Sequence, residues 1–337
     1  MTERKRPHNA AITAVDRFLP SRVVTNFDLE KIIDTSDAWS HDRTGISERR
    51  VFDDGPTSML ATEVANGLLR KRQVAADEID LIIIATITPD MAFPSTACLV
   101  QDRIAATQAW GYDLSAACSG FVYAIVAGAQ FVESGAHKKV MVIGADKMSS
   151  IINVEDRTTY VLFGDGAGGV LLEPSEEEEG LIDFELHSDG SGGDKLCLPA
   201  GGSKEPSTHE SIDRRQHYVH QEGRAVFKVA VTKMAEVSLS VLESNGLTVE
   251  DVDLFVPHQA NGRIISATAE RMNLPLDKAV VNLDRYANTT NATIPIALSE
   301  ALDTDRLKPG DLVQLSAFGG GYTWGSALFR WGNVHGG

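Results

Sequence analysis

The chain has 337 residues, 43% hydrophobic, 7% aromatic and 23% charged, the balance of a globular enzyme long enough for two lobes. Its 31 basic and 47 acidic residues leave a formal charge of −16, which speaks against nucleic acid or an anionic membrane as a partner. No apolar segment follows the charges of MTERKRPHNA, and the longest aliphatic runs fall far short of the ~20 residues that span a bilayer, so no secretory signal and a cytoplasmic location are expected.

In chain order, the strand-like runs are EIDLIIIATI (78–87), KKVMVIGAD (138–146), GGVLLEP (168–174), DVDLFVP (251–257) and GDLVQLSAF (310–318). Each is short, aliphatic and bounded by charges or turn residues. Helix-length segments alternate with them, including TSMLATEVANGLLRKR (57–72) and FKVAVTKMAEVSLSVLESNG (227–246). Such alternation predicts α/β layers.

An internal repeat is visible as well. VAADEIDLIIIAT resembles LTVEDVDLFVPHQ, with Asp80 set against Asp253, and YDLSAACSGFVYAI lines up with VNLDRYANTTNATIPIAL when Cys118 is set against Asn288. Two like halves packed about a pseudo-twofold axis bring equivalent positions together, so both residues are expected to open helices that point toward the centre. The acidic turn PSEEEEG (174–180) predicts the boundary, giving halves 1–174 and 175–337. The Gly/Ser- and charge-rich stretch 187–217 is too long for a simple connector and reads as a lid or a surface insertion.

Three cysteines, Cys98, Cys118 and Cys197, form no C-x-x-C pair and no zinc-ligand spacing, so neither a disulfide framework nor a metal site is expected. In GYDLSAACSGFVYAIVAG, a strand gives way to small residues and then an apolar helix, with Cys118 at the turn. A helix N-terminus favours thiolate over thiol, which predicts a nucleophile, and Ala116, Ala117, Ser119 and Gly120 leave room for a carbonyl to approach. Cys98 and Cys197 lack this setting and read as ordinary packed thiols. His258, after the apolar run Leu254–Val256, is by itself most simply a packed ring.

With Asn288 beside them, Cys118 and His258 take on a chemistry. A cysteine can accept an acyl group, and carbon–carbon bond formation then needs a carbanion. Loss of CO2 from a malonyl thioester supplies one if neutral N–H donors, such as imidazole and carboxamide, hold the enolate oxygen. Backbone N–H groups of Cys118 and of the FGGG loop, Phe318–Gly321, could form a separate oxyanion hole.

Five ordered motifs spread over nearly the whole chain resemble those of the β-ketoacyl-acyl carrier protein synthase III family, thiolase-fold condensing enzymes of fatty-acid synthesis. They are TSDAWSHDRTGISERR, DLSAACSGF, VPHQANGRII, DRYANTTNATIPIAL and AFGGGYTWGSALFRW. The resemblance implies a thiolase-like fold of two duplicated α/β halves in five α-β-α-β-α layers. It implies Cys118 as the acyl acceptor with His258 and Asn288 completing the triad, and Cys118 and Gly320 as the oxyanion hole. It also implies acyl-CoA and malonyl-acyl carrier protein as substrates, a homodimer, and no cofactor beyond the coenzyme A thioester itself.

Trp39 and Arg43 offer an aromatic face and a guanidinium for adenine. By resemblance they hold it, Arg157 supports the nucleotide, Asn261 contacts pantetheine or orders a water, and Phe318 and Gly319 join the coenzyme A site. Phe93 matches a position that reaches into the acyl pocket of the other subunit. Because the chain and the carrier are both acidic, docking needs a local basic patch, for which Lys228, Lys233, Arg263 and Arg271 are candidates. Departures from the family pattern are Glu270 where a base is common, Ala287 where glycine is common, and Asn291 and Thr293 at positions usually small, which could narrow or re-aim the acyl pocket or have no effect. Two other readings fit the same residues: a same-fold acyltransferase or ketosynthase of a natural-product (polyketide) pathway, and a Cys-His hydrolase using His258 as general base.

Overall fold

The structure, a computed structural model, describes residues 8–334, so most of the N-terminal stretch read for a secretory signal lies outside the described residues. Nine strands build two sheets. The first contains β1 (Asn9–Phe18), β2 (Leu81–Ala85), β3 (Trp110–Leu114), β4 (Val140–Asp146) and β5 (Gly166–Ser175) in the order β1-β5-β4-β2-β3. The second contains β6 (Gly180–Ser188), β7 (Leu254–Pro257), β8 (Leu312–Gly319) and β9 (Thr323–Arg330) in the order β7-β8-β9-β6. The chain crosses from one sheet to the other through the acidic turn between β5 and β6.

The two sheets repeat one wiring. β2 pairs β4 in parallel, β4 pairs β5 antiparallel and β5 pairs β1 antiparallel. In the same sequence of directions, β7 pairs β8, β8 pairs β9 and β9 pairs β6. Even the detail at Asp80 and Asp253 recurs. Each carboxylate accepts a backbone N–H from the start of the neighbouring strand, Lys138 and Lys139 in one half and Leu312 in the other.

Where the first sheet ends in β3, the second has no fifth strand. Val280 donates its N–H to Phe255 and a single bridge joins Phe255 to Ala279, a stub in the same position. The segment before His258, expected by its apolar run to be a central strand, is therefore the edge strand of its sheet.

Helices fill three layers. α1 (Asp37–Thr44) belongs to the N-terminal loops, and α2 (Thr57–Arg72) with α3 (Thr96–Arg103) covers the outer face of the first sheet. α4 (Gly120–Glu133) is apolar on nearly every face because it lies between the sheets, with α7 (Thr293–Asp303) beside it. α5 (Gly223–Ser244) and α6 (Gly262–Met272) cover the second sheet from outside. The resulting α-β-α-β-α stack buries the inner faces of both sheets against α4 and α7 in one continuous core. The predicted helix at 57–72 is observed at those residues, whereas the one expected at 227–246 begins earlier and ends at Ser244.

Candidate active site

Cys118 sits two residues before α4, and Ala117 ahead of it adopts a positive φ of 47°. The turn is closed by Ser119 and Gly120 donating their N–H groups to the carbonyls of Ala116 and Ala117. The C-terminal glycine loop is stapled onto it: Thr323 Oγ1 donates to the Ala116 carbonyl at 2.8 Å, and Ser119 Oγ donates to the Thr323 carbonyl at 2.9 Å. A Cβ on Gly319 would lie 2.6 Å from the Cys118 nitrogen, and one on Gly320 would lie 2.6 Å from the Leu196 carbonyl. Glycine at 319 is thus what lets β8 close on the cysteine backbone.

The setting of the sulfur differs from the one expected for a resting thiolate. The cysteine is buried, and burial first, then the negative charge of Asp146, pushes the thiol up to about 12. Both effects favour the thiol over the thiolate.

His258 follows the last residue of β7, and its N–H donates to the Ser316 carbonyl at 2.8 Å, carrying the parallel ladder one step further. The ring is buried, which alone pulls its pKa down to about 3 and keeps it neutral. Its Nδ1 lies 2.7 Å from Thr293 Oγ1. The neighbouring Gln259 side chain fixes the loop, donating to the carbonyls of Pro257 and Val280 and accepting the N–H of Asn282.

Asn288 reaches the same place from a loop ahead of α7. Its backbone bonds to Leu162 and Gly164, and its Oδ1 accepts the Thr290 N–H at 2.8 Å. With the oxygen held, the amide N–H groups remain as donors.

All three residues wall a single cavity of about 520 Å³. Trp39, Arg43, Asn261, Arg263 and Phe318 wall it too. Asn261 caps α6 by accepting the Arg263 N–H on its Oδ1, while its Nδ2 donates to the Arg43 carbonyl at 3.2 Å. The Arg43 and Arg157 guanidiniums lie 5.6 and 4.6 Å from the Trp39 ring centroid. Arg157 is off the cavity wall and donates to the Asp34 carbonyl at 2.9 Å.

The stretch at 187–217 reaches the cavity through residues 196–198. Leu196–Cys197 pairs with His220–Gln221 in a two-stranded ribbon, and Leu196, Leu198 and Val219 face the cavity. Cys197, read as an ordinary packed thiol, also lines it. Among the basic candidates, Lys233 and Arg271 both pair with Glu236, at 3.0 and 3.8 Å, and Lys233 lies over the Trp324 ring. Arg263 stands at the cavity wall over Phe227, and Lys228 is exposed on α5. Phe93 is 83% exposed and is not on the cavity wall.

One residue missed in the sequence is Asp146, the fully buried last residue of β4. It accepts seven hydrogen bonds, from Thr86, Ile87 and Thr88 on one oxygen and from Thr290 and Asn291 on the other. It ties the loop bearing Asn288 to the first sheet. An acid at the end of VMVIGAD was the available signal. Of the departures at Asn291 and Thr293, one binds Asp146 and the other meets His258.

A duplicated, five-layered α/β stack with cysteine, neutral histidine and asparagine around one cavity defines the condensing acyltransferases of the thiolase fold. Residues 112–190 match the family model described as 3-oxoacyl-[acyl-carrier-protein (ACP)] synthase III, and residues 242–331 match the model for its C-terminal region. The chain is 56% identical over 327 residues to a β-ketoacyl-[acyl-carrier-protein] synthase III of Chlorobium phaeovibrioides, covering 96% of this chain and 99% of that one. The crystal structure of the synthase III from Aquifex aeolicus superposes with a TM-score of 0.89 at 45% identity, over 96% of this chain and 100% of that one. That of Pseudomonas aeruginosa gives 0.89 at 36% identity, over 96% and 98%. The chain belongs to the β-ketoacyl-acyl carrier protein synthase III family.

Proposed function

We propose that the chain starts fatty-acid chains by joining an acyl group, delivered by acyl-CoA, to malonyl-acyl carrier protein, with Cys118, His258 and Asn288 as its catalytic residues. In the first half-reaction the sulfur of Cys118 bonds to the acyl carbonyl carbon and the bond to the coenzyme A sulfur breaks. The proton lost by Cys118 leaves on coenzyme A. The N–H groups of Cys118 and Gly320 hold the oxygen of the tetrahedral intermediate.

In the second half-reaction the malonyl carboxylate leaves as CO2, and its bonding pair passes into an enolate whose oxygen takes hydrogen bonds from His258 and Asn288. The enolate carbon attacks the acyl carbonyl, the bond to Cys118 breaks, the sulfur regains a proton and a β-ketoacyl-carrier protein departs. The observation that carries this reading is the wall of the cavity itself, where a thiol faces a neutral ring and an amide whose oxygen is already engaged. No step needs a metal or redox cofactor.

Trp39, Arg43 and Arg157 would take the adenine end of coenzyme A, and Asn261, Phe318 and Gly319 the pantetheine arm. Arg263 and Lys228 are left as the main docking cations for the carrier, since Glu236 offsets Lys233 and Arg271. A homodimer is supported by β3, an edge strand with half-exposed Trp110, and by the exposed Met91 and Phe93. A division close to residues 174 and 175 is supported by the switch of sheets in the turn just past Ser175. Among the described residues no helix is long and apolar enough to cross a membrane, in keeping with a cytoplasmic site of action.

Intact mass after incubation with a panel of acyl-CoAs tests the first half-reaction: the wild type gains one acyl mass and Cys118→Ala gains none. Malonyl-carrier protein labelled at its free carboxyl tests the second. Release of labelled CO2 with a β-ketoacyl product supports the reading; acyl transfer without CO2 release would favour a same-fold acyltransferase, and steady hydrolysis a Cys-His hydrolase.

A further inference from the structure

His258 can hold an enolate oxygen only if the ring nitrogen that faces the cavity carries the hydrogen, and a neutral imidazole has one N–H to place. Its Nδ1 is turned into the wall, 2.7 Å from Thr293 Oγ1, and both side chains are buried. Among the described residues, Thr293 is the partner that Nδ1 has. Whether that nitrogen gives or receives the hydrogen therefore decides what Nε2 presents to substrate.

The hydroxyl of Thr293 has one hydrogen and two acceptors in reach, Nδ1 at 2.7 Å and the Thr290 carbonyl at 2.9 Å. Two observations choose between them. The Thr290 carbonyl also receives the backbone N–H of Thr293, so it keeps one donor when the hydroxyl turns to Nδ1. Of the hydroxyl's two contacts, the one to Nδ1 is the shorter, 2.7 against 2.9 Å.

Resting on the reading above, we infer that Thr293 is a positioning residue whose hydroxyl donates to His258 Nδ1 and so holds the ring in the tautomer with Nε2–H directed at the malonyl enolate. The same contact withdraws His258 from duty as a general base for Cys118, because Nε2 has no lone pair to offer while Thr293 donates. The two half-reactions then depend on Thr293 unequally. Decarboxylation needs the tautomer, and transfer of the acyl group to Cys118 does not. Thr293 thereby sets the histidine's function without touching substrate.

The test uses full-length protein carrying 15N-histidine, acetyl-CoA, and malonyl-acyl carrier protein labelled at its free carboxyl carbon. In the wild type, the ring nitrogens of His258 are expected to show a protonated Nε2 and a hydrogen-bonded, unprotonated Nδ1. Thr293→Val keeps the shape and removes the donor. It is expected to release CO2 on the order of tenfold more slowly or worse while acylation of Cys118, read by intact mass, stays within about twofold. Thr293→Ser is expected to restore both the CO2 rate and the wild-type ring signals.

A wild-type ring protonated at Nδ1, a valine variant that decarboxylates at the wild-type rate, or equal losses in acylation and CO2 release would each overturn the inference. Should the valine variant fail to fold, the wild-type spectrum and the serine variant decide. A wild type that neither acylates nor releases CO2 would instead defeat the reading of the reaction, and the ring spectrum would still report the tautomer.

Discussion

Ala287 sits at φ 57° and ψ −160°, a backbone state that is nearly closed to residues with a Cβ. It immediately precedes Asn288 and holds the turn that presents the amide. The strain is worth ~1–3 kcal/mol, while glycine would give back ~0.5–1 kcal/mol of unfolded-chain entropy. Ala287→Gly is therefore expected to stabilise the protein by about 1 kcal/mol, read from the denaturant midpoint, with the condensation rate little changed. Cys118 gives a second residue-scale prediction. Because its thiol is raised to about 12, thiolate is a minor form across the working range and its population grows tenfold with each pH unit. Acylation, followed by intact mass, is expected to keep rising between pH 6 and 9 without a plateau.

At the scale of elements, Asp146 joins the ends of β2 and β4 to the loop before α7. Replacing it by asparagine puts an amide N–H against the donors that converge on one of its oxygens. Asp146→Asn is expected to cost about 3–5 kcal/mol of stability. Condensation is also expected to fall, since the loop bearing Asn288 loses its anchor; calorimetry and the CO2 assay would measure the two effects. Gly319→Ala tests the other closure. Its methyl would meet the Cys118 nitrogen, so acylation is expected to be lost through displacement of β8 or of the cysteine turn, measured by intact mass.

This scale also separates what the sequence reveals from what it hides. Cys118 and Asn288 are legible because the repeat sets them at equivalent places ahead of helices, and because the residues around them form contiguous motifs. Asp146 is not, since its donors come from two stretches, 86–88 and 290–291, that only the fold brings to it. Cys197 reaches the cavity through a ribbon whose short strands carry no periodicity to read. The apolar run before His258 marks a strand but not its place in the sheet, because burial by a stub at Ala279 and Val280 looks the same as burial by a full neighbour.

For the molecule as a whole, acid is the informative stress. His258 is neutral and buried with a pKa near about 3, below the ordinary 6.5, so the unfolded chain binds its proton first. The contribution of the neutral ring is complete above pH 6.5 and declines as pH falls toward 3, by up to roughly 4 kcal/mol. His258→Gln is expected to flatten that part of the acid-unfolding curve relative to the wild type.

The missing fifth strand of the second half has a consequence for growth by strand addition. In the first lobe β3 ends the sheet with its outer backbone groups unpaired, and in the second the matching border is already stopped by Val280. The rim along β3 thus has no counterpart at the matching border of the other lobe. Two copies joined rim to rim would exhaust it, so this mode of association closes at a pair instead of running on into a fibre.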